Sequence, residues 1–197
     1  MERKLKPIQV QEKLREKKIR LFSPEEFCRV FPVTLRAAQE FIKDHSQDLF
    51  IKLRNGLYAL KTDPPSELEI ANRLHQPSYV SFEYALCHHH LIPEAVYSVT
   101  SATTRLTREF VVQGRTYEYS RIKKKAYRGY GLERVANTGV FIAEPEKALV
   151  DYLYFVDLKL KSLNERLNVR KINKKETLRY AKVFDRKSLI ALVKTIL

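Results

Sequence analysis

Cys87, His88, His89 and His90 occupy four consecutive positions, a thiol and three imidazoles of the kind that ligate zinc. Cys87 and His90 are spaced to share one face of a helix, but His75 is the only further donor nearby, and zinc usually takes four convergent ligands. The run therefore reads as a helix end with half-buried rings, and no metal is expected. Glu144, Glu146 and Asp151 offer carboxylates for acid-base work, yet two of them flank Pro145, where acidic residues favour a helix N-terminus. The 5 glycines are too scattered for a phosphate-cradling loop, and no Ser/His/Asp arrangement can be read. No catalytic residue and no cofactor are expected.

A recognition chemistry is easier to find. Between Thr34 and His45 a helical projection puts Leu35, Ala38, Phe41 and Ile42 on one side and Arg36, Gln39, Glu40 and Lys43 on the other. In a DNA major groove, Arg pairs bidentately with guanine and Gln with adenine, while Lys43 is placed to meet a phosphate. A lone helix with such a face is usually just solvated. Its neighbours change that reading.

Those neighbours are well marked. Ser23, Pro24, Glu25 and Glu26 combine an N-cap serine, a proline at the first helical position and a capping-box glutamate. Pro32 breaks that helix after two turns and Thr34 caps the next, so two short helices meet at a three-residue turn, as in a helix-turn-helix. An earlier helix opens at Pro7 and runs to about Lys18, with Ile8, Val10 and Leu14 inward. Downstream, Asn55 and Gly56 signal a two-residue type I′ hairpin from Ile51 to Leu60. Pairing across that turn sets Arg54 opposite Leu57 and Leu53 opposite Tyr58. Lys52 and Arg54 then project from the polar side, with Asn55 at the tip. Residues 1–62 thus read as a winged helix, with Thr34, Arg36, Gln39 and Lys43 on the reading helix and Lys52, Arg54 and Asn55 as backbone contacts.

The charge balance agrees with a polyanionic partner. Lys and Arg number 37 against 23 acidic residues, a net charge of +14. The surplus is uneven: residues 1–62 carry +6, 63–100 carry −4, 101–160 carry +4 and 161–197 carry +8. The acidic stretch opens with Asp63, Pro64 and Pro65, where a prolyl pair disfavours helix and strand alike, so 61–66 reads as a linker. No segment is apolar enough to span a bilayer, and the N-terminal residues lack the apolar core of a signal peptide. The expectation is a cytoplasmic protein without membrane partners. Cys28 and Cys87 form no CxxC pair, so neither a disulfide framework nor a redox motif is indicated.

Past the linker, Ser66 and Glu69 make another capping box. An extended piece at Tyr79 and Val80 and a helix from Ser81 to about His89 follow. β-type runs come at 96–101, 109–113, 116–122 and 138–142, with a tight turn at Gln113 and Gly114. Glu144 and Pro145 start an apolar helix through Val156, and three short helices are expected over 160–197. The fold class is α+β: a mixed or antiparallel sheet with packed helices at 67–160, then a basic helical tail at 161–197.

The wing end Arg54-Asn55-Gly56-Leu57-Tyr58-Ala59-Leu60, the run Tyr79 to Glu94 leading to Val99-Thr100-Ser101, and Ile142 to Asp151 are three further marked stretches. Together they resemble the AbiEi antitoxins of type IV, abortive-infection toxin-antitoxin systems. The resemblance spans roughly residues 8–160. It implies a non-enzymatic repressor that binds its own operator at inverted repeats through the winged helix, as monomers paired on the DNA. It also implies a second domain that counters a nucleotidyltransferase toxin encoded beside it, with or without touching it.

A second cationic set, Arg105, Arg108, Arg121, Lys123, Lys124, Lys125 and Arg128, with Arg115 and Arg134 nearby, is interleaved with Tyr117, Tyr119, Tyr127 and Tyr130. Exposed tyrosines would stack on bases while the cations neutralise phosphates, making a nucleic-acid or toxin surface. Tyrosines turned inward would leave only solvated cations. An RNA-binding protein working through 101–134 is thus the main alternative function, and a metal-dependent nuclease a further one.

Overall fold

Local signals in the first 74 residues become elements where the side chains can satisfy the backbone in the computed structural model, which describes residues 5–135 and 138–197. Pro7 begins α1 (Pro7–Glu16). Ser23 accepts from the Glu26 amide at 3.3 Å and its own amide donates to the Glu26 carboxylate at 2.8 Å, closing the box that starts α2 (Pro24–Val30). Thr34 accepts from the Ala37 amide at 3.2 Å and caps α3 (Leu35–Asp44). Strands β1 (Leu21–Phe22), β2 (Phe50–Arg54) and β3 (Leu57–Leu60) form an antiparallel sheet in the order β1-β3-β2. Val10, Leu14, Phe22, Phe27, Ile42 and Phe50 fill the space between helices and sheet. Phe22 meets Phe50 edge-on at 5.2 Å, the geometry ring quadrupoles favour.

The hairpin departs from its predicted form. Arg54 does pair with Leu57, but the register then shifts, so Lys52 faces Tyr58, Ile51 faces Ala59 and Phe50 faces Leu60. Leu53 is the extra residue of this bulge and is buried. A type I′ turn needs positive φ at both central residues, and of Asn55 and Gly56 only Gly56 has it. The paired positive φ values occur instead at Gln113 and Gly114. Leu35, expected inward, is exposed.

The division between the two compact units falls after Leu74 and not within 61–66. Helix α4 (Glu67–Leu74), started by the Ser66 and Glu69 box, belongs to the first unit. Arg20 bridges Asp63 at 3.0 Å and Glu69 at 3.4 Å, Arg73 reaches Glu26 at 2.5 Å, and Arg54 donates to the Leu74 carbonyl at 2.8 Å. The prolyl pair bends the chain without setting the helix free.

The second unit, His75 to Leu197, holds a six-stranded mixed sheet in the order β6-β7-β5-β4-β9-β8. Its strands are β4 (Ser78–Val80), β5 (Val99–Thr103), β6 (Arg108–Val112), β7 (Arg115–Arg121), β8 (Tyr130–Val135) and β9 (Thr138–Ala143). β5 runs parallel to β7 and β4 parallel to β9, and the other pairs are antiparallel. The central strands β4 and β5 are buried throughout. Sequence patterning missed β8, where glycine, arginine and glutamate mask the alternation.

Helix α5 (Phe82–His88) packs with α6 (Pro145–Asp157), and α6 in turn carries α7 (Lys174–Lys182) and α8 (Lys187–Ile196). The tail therefore has two helices where three were expected, residues 160–173 forming none. Tyr180 donates to Glu144 at 2.6 Å and Arg186 to Asp157 at 2.5 Å, tying the tail to both ends of α6. Among the described residues, no helix is long and apolar enough to cross a membrane.

Candidate nucleic-acid interface

Helix α3 buries Ala38 and Ile42 and turns Arg36, Gln39, Glu40 and Lys43 to solvent. Thr34, at its N-cap, is exposed as well. The Arg36 side chain is 88% exposed and its Nε donates to Glu40 at 3.0 Å, one turn along. So exposed an ion pair contributes little and is easily exchanged for another acceptor. On the hairpin, Lys52, Arg54 and Asn55 are exposed. Arg54 is engaged all the same: besides the Leu74 carbonyl, it donates to the carbonyl of Asn55 at 2.8 Å. Lys52 is the better-placed phosphate contact of the two.

The second cationic set is sorted by the fold. Arg105, Arg108 and Arg121 line an open cleft of about 620 Å³ together with His75, Thr104, Leu106 and Thr107. A second cleft of about 510 Å³ shares Thr104 and Arg121 and adds Ile122, Lys123, Lys124 and Tyr154. Lys123 donates to the Phe184 carbonyl at 2.5 Å. Lys125 and Arg128 line neither cleft; Lys125 is ion-paired with Asp185, and Arg128 is exposed. The tyrosines turn inward. Tyr117 and Tyr119 are buried, while Tyr130 stacks on Tyr79 at 4.4 Å and Tyr127 packs against the same ring at 5.1 Å. Burial raises Tyr79, Tyr117 and Tyr127 above the ordinary phenol range, as expected of hydroxyls withdrawn from water. None of the four is a free platform for bases.

The candidate metal ligands regroup. Of the four-residue run, His88 and His89 come together with Glu133 of β8, their ligand atoms lying within 4.8 Å of one another. His88 Nε2 is 3.0 Å from the Glu133 carboxylate, and His89 Nε2 donates to the Ala143 carbonyl at 2.8 Å. Three such ligands leave zinc one short of four, and these contacts also serve to pin the end of α5 to β8 and β9. His75 is bonded elsewhere, to the Leu106 carbonyl at 3.1 Å.

The three carboxylates considered for catalysis are each held by other partners. Glu144 accepts from Tyr180, and Glu146 from the Asn173 amide at 3.0 Å. Asp151 is sealed from solvent, where it accepts from Tyr79 Oη at 2.9 Å and Ser81 Oγ at 2.8 Å and pairs with Lys147. Burial lowers the Lys147 ammonium below its ordinary range, against the pull of Asp151. Lys147 was overlooked in the sequence. Its signal is the one basic residue of α6, four residues before Asp151 in a largely apolar run. Comparisons with known protein families and with curated proteins match nothing to this chain.

Proposed function

We propose that the chain is a DNA-binding autorepressor and antitoxin of the AbiEi kind, acting in the cytoplasm without enzymatic activity. On this reading the first unit is a winged helix, α2 and α3 are its helix-turn-helix, and β2–β3 is its wing. The observation that carries it is the capped helix α3, which presents Arg36, Gln39 and Lys43 in sequence on one exposed face. Side chains three and seven residues apart on such a face reach successive base edges of a major groove. The hairpin behind it adds Lys52 for the backbone. Operator DNA with inverted repeats is the partner, each half-site taken by one copy of the chain.

Antitoxin action against a neighbouring nucleotidyltransferase rests on the resemblance of Tyr79–Glu94 and Ile142–Asp151. The buried network adds support, because Tyr79 and Ser81 come from the first of these stretches and Lys147 and Asp151 from the second. Footprinting upstream of the gene tests the repressor, with protection of two inverted half-sites expected. Protection of no discrete site sinks it. Growth rescue in cells making the toxin from an independent promoter tests the antitoxin.

A further inference from the structure

We propose that the paired clefts beside β6 and β7 form a binding site for single-stranded nucleic acid, distinct from the duplex-reading surface of the first unit. The site does not depend on the operator reading. Its first support is charge without compensation. Arg105, Arg108, Arg121, Lys123 and Lys124 line the two clefts, and among the described residues no acidic side chain does. Elsewhere in this unit the basic side chains are commonly matched: Lys125 with Asp185, Lys161 with Glu83, Arg179 with Glu176 and Arg186 with Asp157. Cations held together without carboxylates raise the local potential and favour an anion that brings several charges at once.

Shape narrows the class of anion. Clefts of about 620 and 510 Å³ are each the size of a small-molecule site, and they are joined through Thr104 and Arg121. A flexible strand can lay consecutive nucleotides into two adjoining hollows. A rigid duplex cannot enter either one, and reading its grooves calls for a projecting element instead. Arginine forks suit phosphate oxygens, and apolar surface is at hand for bases. Leu106 is 74% exposed at the rim of one cleft.

The turn that carries these groups is braced beforehand. Thr103 donates to the Pro77 carbonyl at 2.8 Å and accepts from the Arg105 amide at 3.1 Å. The Leu106 carbonyl accepts from His75, and Thr107 accepts from the Arg121 amide at 3.2 Å. Binding a strand therefore orders little backbone, which reduces its entropic cost.

Fluorescence anisotropy of the full chain with labelled oligouridine and oligothymidine of about ten nucleotides tests this, with a duplex of equal length as the contrast. Both single strands should bind, with a logarithmic salt slope of about −3, from the handful of phosphates the cleft cations can neutralise. Arg105→Glu with Arg121→Glu should weaken single strands at least tenfold, whereas Arg105→Lys with Arg121→Lys stays near wild type. Lys124→Glu, at an exposed position, should weaken them about threefold and covers the case in which the double variant fails to fold. Arg36→Ala with Lys43→Ala should leave single-strand binding untouched while operator binding is lost, so failure of one reading is separable from failure of the other. Three results overturn the proposal: wild-type affinity in the folded Glu variants, equal loss in the α3 variant, or displacement of the strand by polyglutamate as readily as by unlabelled strand. The last would make the clefts a site for an acidic protein.

Discussion

Lys147 and Asp151 lie one turn apart on α6, are 1% and 0% exposed, and are bonded to each other. Neither has water to fall back on. The carboxylate is further held by the Tyr79 and Ser81 hydroxyls, so strand β4, its following residue and α6 share one buried anion. Breaking a pair of this kind leaves an unmatched charge in the interior, which typically costs about 3–5 kcal/mol. Asp151→Ala should therefore lower the denaturation free energy toward that range. Part of the loss is relieved because Lys147, already drawn toward neutrality by burial, can shed its proton. Lys147→Met with Asp151→Leu should recover most of the stability. Urea titrations decide it, and a loss below about 1 kcal/mol for Asp151→Ala would show the network to be replaceable.

A second buried contact responds to alkali. The Tyr180 hydroxyl is pushed up to about 12 from the ordinary 10, by burial first and then by its bond to Glu144. A raised acid pKa means that the unfolded chain loses this proton before the folded one does. The tyrosine's contribution is complete below pH 10 and is lost as the pH climbs through about 12. Tyr180→Phe should be less stable than wild type at neutral pH, and the gap should close near pH 12. A gap that stays constant across this window would assign the shift to other phenols.

Gly129 sits under the same ring. Its φ is +75, and a Cβ there would stand 2.6 Å from Tyr180 Cε1. Gly129→Ala thus meets both backbone strain and a displaced ring. It should destabilise the second unit by about 1–2 kcal/mol, from the left-handed penalty alone. In the Tyr180→Phe background the clash persists and the hydroxyl bond is already gone, so the combined loss should fall short of the sum. Additive losses would mean that the ring does not move.

On α3, Glu40 stands among the cations and holds Arg36. Its carboxylate repels phosphate, so Glu40→Gln should raise affinity for duplexes of any sequence. Arg36→Ala should cost roughly ten- to a hundredfold on the cognate site and relax preference at one base. Lys52→Ala should weaken all duplexes alike and reduce the salt slope by about one. Competition binding across a mutated operator library measures all three, and an Arg36→Ala variant with unchanged base preference would move the reading surface elsewhere.

What the sequence discloses is what neighbours in the chain decide. The caps at Ser23, Thr34 and Ser66 and the proline starts of α1, α2 and α6 follow from hydrogen bonds spanning three or four residues. The parallel pairings of β5 with β7 and of β4 with β9 join distant segments and leave no local mark. The two-residue turn at Asn55 and Gly56 falls where the Asn-Gly signal puts it, whereas the bulge at Leu53, which is buried, has no local mark. The site was legible to the same degree. Arg36, Gln39 and Lys43 could be placed from helical phase, whereas the meeting of Arg105, Arg108 and Arg121 with His75 depends on the turn at 104–107, and the approach of Glu133 to His88 on a strand that alternation did not reveal.

Where the first unit ends bears on how it can be cut out. The prolyl pair at 64 and 65 invites a fragment ending at residue 62, but the segment 63–74, with α4, lies beyond it and supplies partners of Arg20, Glu26 and Arg54. Without it, Arg20 loses Asp63 and Glu69, Glu26 loses Arg73, and Arg54 loses the Leu74 carbonyl. Partly exposed ion pairs contribute modestly, yet hydrogen bonds from a charged group are worth about 1.5–3 kcal/mol, and a domain of this size has little stability to spare. A fragment of residues 1–74 should melt cooperatively and bind operator half-sites. One of residues 1–62 should melt at a lower temperature and bind more weakly. Arg54→Ala in the longer fragment separates folding from contact: its effect should appear in the melting temperature, with duplex affinity falling less than for Lys52→Ala. Identical melting of the two fragments, or a loss of affinity from Arg54→Ala at unchanged stability, would return Arg54 to the DNA and α4 to the second unit.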